Sequence, residues 1–97
     1  MDRLLTPPQI EQSLAVLEGW EREDPSIVCQ LEFATFPAAI AFVQAVAEVA
    51  EAMDHHPDID IRHRRVRIAL STHSAEGLTD LYFALAVRCD EVAGSVR

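Results

Sequence analysis

The stretch TFPAAIAFVQAVAEVAEAMDHHPDIDIRHRRVRIAL, Thr35 to Leu70, changes period part-way through. Its first half, Phe36 to Asp54, reads as a helix. Thr35 is placed to cap it, Pro37 fits the first turn, and Pro57 lies just beyond its end. At 100° per residue only Gln44, Glu48 and Glu51 form a polar stripe in its middle, so the apolar arc spans roughly 250° against the ~100° that one buried face requires. Phe36, Ile40, Val43 and Ala47 are expected to pack on a sheet, and Phe42, Val46, Val49 and Met53 then need a second partner, read as another subunit. The second half alternates. Ile59, Ile61 and His63 face one way and Asp58, Asp60, Arg62 and Arg64 the other; Val66, Ile68 and Leu70 then alternate again. Two half-buried strands follow, joined by a turn near Arg64-Arg65 that contains neither Gly nor Asn.

Working towards the N-terminus, Ile27 to Phe33 places Cys29, Leu31 and Phe33 on one face of a strand. Asp24-Pro25-Ser26 reads as a turn joining it to a short strand, Trp20 to Glu23. Before these, Pro7-Pro8 opens a helix with Thr6 as N-cap; Ile10, Leu14 and Leu17 are at helical spacing and Gly19 is the stop. Towards the C-terminus, Ser71 to Gly77 is a polar loop. Leu78, Leu81, Leu85, Cys89 and Val92 mark a final amphipathic helix with Asp80 in its first turn. The order helix-β-β-helix-β-β-helix predicts an α+β two-layer sandwich: a four-stranded antiparallel sheet with helices on one face, in a single domain over residues 1–97.

Composition narrows the function. The 97 residues are 49% hydrophobic and carry a formal charge of -8, with eight arginines and no lysine. That balance disfavours direct nucleic-acid binding and anionic membranes. No apolar run reaches the ~20 residues of a spanning helix, and the opening Met1 to Pro8 lacks an apolar signal core, so a cytoplasmic protein is expected. Cys29 and Cys89 read as reduced core thiols. No Gly-rich phosphate loop, GxSxG elbow or cysteine beside a histidine is present. Zinc fits poorly, because adjacent histidines rarely share one ion and there is neither HxxxH nor CxxC.

The remaining chemistry is imidazole. His55-His56-Pro57 follows the long helix directly, and imidazole titrates near neutrality, as acid–base work at pH 7 requires. Pro57 biases His56 to an extended backbone, which stops the helix and aims the rings into a loop. His73 stands in the next polar loop. Glu51, one turn before His55, either orients that ring or is a solvated carboxylate of the polar stripe. His63, on the apolar side of its strand, is expected to be packed.

Together, Glu51-x-x-x-His55-His56-Pro57, Ser71-Thr72-His73 and Gly77-Leu78-Thr79 resemble the pterin-4a-carbinolamine dehydratases. The likeness extends to the Leu5-Thr6 helix, Gly19-Trp20 and Phe33-x-x-Phe36. It implies removal of water from a tetrahydropterin carrying a hydroxyl at C4a, with no cofactor beyond the pterin substrate and no metal. By that resemblance His55, His56 and His73 line the pterin pocket, His56 and His73 being the favoured acid–base pair. Glu51, Trp20, Pro57 and Thr72 are second-rank substrate contacts. It also implies a homodimer or homotetramer assembled through helices. Three features depart from the family pattern: His63 replaces an aromatic, Ile59-Asp60 stand where bulky aromatics are frequent, and Tyr82 replaces the Asp of a Thr-x-x-Asp helix start. These departures favour an alternative reading, a non-catalytic member of the fold acting as an assembly or regulatory partner.

Overall fold

The computed structural model describes residues 5–17, 19–23, 26–70 and 80–96. The elements are α1 (Pro7–Ala15), β1 (Trp20–Glu23), β2 (Ser26–Glu32), α2 (Phe36–Met53), β3 (Asp58–Arg62), β4 (Arg65–Leu70) and α3 (Asp80–Val96). The strands form one antiparallel sheet in the order β1-β2-β4-β3. This is the expected α+β arrangement.

Local chemistry accounts for the helix starts. Thr6 Oγ1 accepts from the Gln9 N–H at 3.4 Å while Gln9 Oε1 accepts from the Thr6 N–H at 2.9 Å, a reciprocal capping box. Thr35 Oγ1 accepts from the Ala38 N–H at 3.1 Å. Proline stands in the first turn of both helices, where a missing N–H costs nothing. α1 is shorter than the periodicity predicts, ending at Ala15, although Leu17 beyond it is still buried.

The register Trp20↔Cys29, Cys29↔Ile68 and Ile59↔Ile68 lays one row of side chains across all four strands, and cross-strand partners share a face. Ile27, Cys29, Val66, Ile68 and Leu70 are buried there with Phe42, Val46, Leu85, Ala86 and Cys89 from α2 and α3.

Two expectations are corrected. The long helix is rolled so that Ala39, Phe42, Val46 and Ala50 form its buried face, and Phe36 and Ile40 are exposed, as is Ala47. Val43 is half-buried, and so are Val49 and Met53, which pack on the core. Phe42 and Val46 therefore cannot be subunit contacts. α2 must satisfy α3 as well as the sheet, and that double contact sets its rotation. His63 is the other correction. Arg62 pairs with Arg65, so His63 and Arg64 form a two-residue turn, and His63 takes φ 58°. Two-residue hairpins favour positive φ, which removes His63 from the strand alternation and exposes it. Its ring lies parallel to that of Phe36, with centroids 6.5 Å apart.

By length and composition α2 resembles a membrane span. Its buried face, however, belongs to the same core as the sheet.

Candidate active site

α2 ends in a left-handed residue, Asp54, at φ 53° and ψ 41°. Its N–H still donates back to α2, and the His55 N–H donates to the Ala50 carbonyl at 3.0 Å. The helix is thereby closed and the chain turns sharply, an arrangement that satisfies the terminal carbonyls. His55, His56 and Pro57 occupy this corner before β3 starts at Asp58.

The two adjacent histidines have different surroundings. His55 is half-buried, its Nε2 has under 1 Å² of solvent-accessible surface, and its ring centroid is 4.6 Å from that of Tyr82, the planes tilted by 35°. Tyr82 is in the first turn of α3 and is 2% exposed. His56 is exposed, and its Nε2 is 2.8 Å from Glu51 Oε1. The hydrogen bond to Glu51 raises the His56 pKa above the usual histidine value. The nearby charges of Glu51 and Asp54 add to the rise, and partial desolvation opposes it. The imidazolium form therefore persists to a higher pH than in a free histidine.

Sequence spacing paired Glu51 with His55. The structure pairs it with His56, because the left-handed Asp54 breaks helical spacing and carries the next residue but one back over the last turn. Pro57 is half-buried in the same corner. Trp20 is not brought to it. Its indole is 5% exposed and donates from Nε1 to Asp90 Oδ1 at 2.9 Å, about two turns further along α3 than Tyr82. Thr72 and His73 lie outside the described residues. Two described elements reach this corner. β4 ends at Leu70, one residue past Ala69, the register partner of Asp58; α3 begins two residues before Tyr82.

Sequence reasoning missed Tyr82 as a neighbour of His55. The only signal was an aromatic residue in a first turn that otherwise suits an acid. Both cysteines are buried thiols outside any disulfide, and burial pushes the Cys89 thiol up to about 12, so it is no nucleophile at neutral pH. An open hollow of about 670 Å³ is on the sheet and is lined by Gln30, Glu32, Asp60, Arg62, Arg65 and Arg67 among others. Ion pairs engage two of its arginines: Arg65 reaches Glu32 at 3.1 Å, and Arg67 reaches Glu23 at 3.0 Å. Among the described residues, none of those expected at the site lines it.

Residues 3–92 match the family described as Pterin 4 alpha carbinolamine dehydratase. The chain belongs to that family. A Chloroflexus aurantiacus protein named "Putative pterin-4-alpha-carbinolamine dehydratase" is 53% identical over 90 residues, covering 93% of this chain and 97% of that protein. A protein of the same name from Acidobacterium capsulatum is 55% identical over 82 residues, 84% and 89% of the two chains. The crystal structure of a transcriptional coactivator/pterin dehydratase from Brucella melitensis superposes with a TM-score of 0.91 at 33% identity, covering 95% of this chain and all of that one. A pterin dehydratase-like protein identified as a RuBisCO assembly factor in the alpha-carboxysome aligns at a TM-score of 0.65 and 26% identity, over 77% and 87% of the chains.

Proposed function

We propose that this protein dehydrates 4a-hydroxytetrahydropterin to quinonoid dihydropterin in tetrahydropterin recycling, in the cytoplasm and without metal or further cofactor. The hydroxyl on C4a accepts a proton and leaves as water; N5 loses its proton, and its electron pair closes the C4a–N5 double bond. One group must supply a proton and another must accept one, both near neutrality. The observation that carries the reading is the Glu51–His56 pair at 2.8 Å, in a chain of this family. A histidine kept protonated by a carboxylate suits the donor, and His56 takes that role. His73 is the acceptor. It is three residues past Leu70, so an extended chain reaches at most ~10 Å from the end of β4. Glu51, Pro57 and Thr72 are proposed to contact or orient the pterin. The burial of Trp20 and its bond to Asp90 support a structural part for that residue instead.

The same reading includes a homodimer or homotetramer. Phe36, Ile40, Val43 and Ala47 recur at alternating steps of four and three residues, and Phe36 is 47% exposed, so this stripe is the proposed contact. The exposed stripe also favours a second reading, a partner or assembly role like that named for the alpha-carboxysome relative. Assay of purified protein on 4a-hydroxytetrahydropterin, with the spontaneous rate subtracted, separates the two. Turnover supports the enzyme; a rate equal to background supports the partner.

A further inference from the structure

We propose that Tyr82 is a positioning residue: it holds the His55 ring as a fixed wall of the site and leaves His56 as the mobile proton carrier. The inference deepens the dehydratase reading and rests on it.

Two described contacts hold His55. Its backbone N–H is bonded to Ala50 at the closed end of α2, and its ring lies against Tyr82 at the start of α3. The two helices pack directly on each other, so the two holds move as one body. Tyr82 is itself 2% exposed, so its ring has little room to turn away. His55 Nε2 has less than 1 Å² of accessible surface, so it offers almost nothing to a ligand. A substrate at this corner therefore meets at most the remaining edge of a fixed imidazole. His56 has the opposite character: it is exposed, bonded through a flexible carboxylate side chain, and free to turn towards a bound molecule. Proton transfer gains from a fixed wall, because misplacement of a reacting group by ~1 Å costs on the order of 10²-fold in rate. Tyr82 stands where the family pattern has an acid, so this chain holds His55 by an aromatic face.

The test compares Tyr82→Phe, Tyr82→Leu and Tyr82→Asp with the parent protein labelled at histidine. The His55 signal is assigned through His55→Gln. The His55 ring resonances are expected to be displaced by the aromatic ring current in the parent and in Tyr82→Phe. They are expected to move towards free-histidine positions in Tyr82→Leu and Tyr82→Asp, with His56 nearly unchanged. In the dehydration assay Tyr82→Phe is expected to stay within about twofold of the parent, and Tyr82→Leu to lose about tenfold in kcat with KM changed less. His55 resonances that ignore all three substitutions would overturn the proposal, as would a folded Tyr82→Leu with the parent's kcat. If Tyr82→Leu does not fold, a Tyr82→Phe spectrum lacking the displacement would overturn it, because Phe preserves the ring. The spectra need no activity, so an inactive parent would remove the dehydratase reading while they still decide the contact.

Discussion

Phe42→Ala and Phe36→Ala are expected to behave very differently, although both residues are aromatics on one helix. Phe42 is fully buried, with its ring centroid 4.9 Å from that of Phe33. Truncating a buried Phe removes the transfer energy and leaves a cavity, typically ~3–5 kcal/mol in all. Phe36 is 47% exposed, so it has already kept about half of its surface in water. With ~1.5–3 kcal/mol for full burial of such a side chain, its truncation costs about 1 kcal/mol. In a domain of this size 1 kcal/mol moves Tm by ~4–8 °C, so Phe42→Ala is expected to lower it by at least about 12 °C. Urea titration at low micromolar protein reads both, and Phe42→Leu serves as the milder variant if the alanine form does not fold. If the proposed helix contact forms, Phe36→Ala should in addition weaken it, making the midpoint less dependent on protein concentration. Equal losses, or a larger loss at Phe36, at a protein concentration where both variants are monomeric would refute this rotation of α2.

Other perturbations test the corner and the core. The His56 titration midpoint should lie above ~6.5 by NMR, and Glu51→Gln should lower it. Because the folded pKa is raised, the stability from this pair is present below the unfolded pKa of about 6.5 and is lost as pH rises through the folded value; a pair strengthening above that range would contradict the assignment. If protonated His56 is the donor, the alkaline fall in activity should move to lower pH in Glu51→Gln. Asp90→Ala strands the Trp20 indole N–H in a 5% exposed residue and should cost ~1–3 kcal/mol by denaturant titration; no change would show that the hydrogen bond is not formed. His63→Ala should cost under about 1 kcal/mol, since the ring lies on the surface over Phe36, and a loss of 3 kcal/mol or more would restore the packed reading.

What the sequence revealed, and where it misled, follows from the range of the forces involved. Caps at Thr6 and Thr35, the stop before Pro57 and the alternation from Ile59 to Leu70 are local, and the architecture follows from them. The rotation of α2 is not local. Alanine and valine surround that helix so evenly that hydrophobic periodicity has almost no phase, and docking on α3 decides whether Phe36 or Phe42 goes inside. His63 obeyed the right alternation for one residue too many, because the strand ends at Arg62. At the site, the His55-His56-Pro57 corner was legible from residue type and helix end. The partners of each ring were not: Glu51 reaches His56 only because Asp54 is left-handed, and Tyr82 reaches His55 only through the packing of α3 on α2. Thr72 and His73 lie outside the described residues.

The central claim is that histidines of this chain move the protons of a dehydration. It is tested most directly by the turnover of 4a-hydroxytetrahydropterin, above the spontaneous rate, in the parent and in the double variant His56→Ala, His73→Ala. Each lost acid or base typically removes ~10²–10⁴ in rate, so the account predicts a parent well above background and a folded double variant at or near it. Equal rates in the two proteins, both folded by circular dichroism, would contradict it.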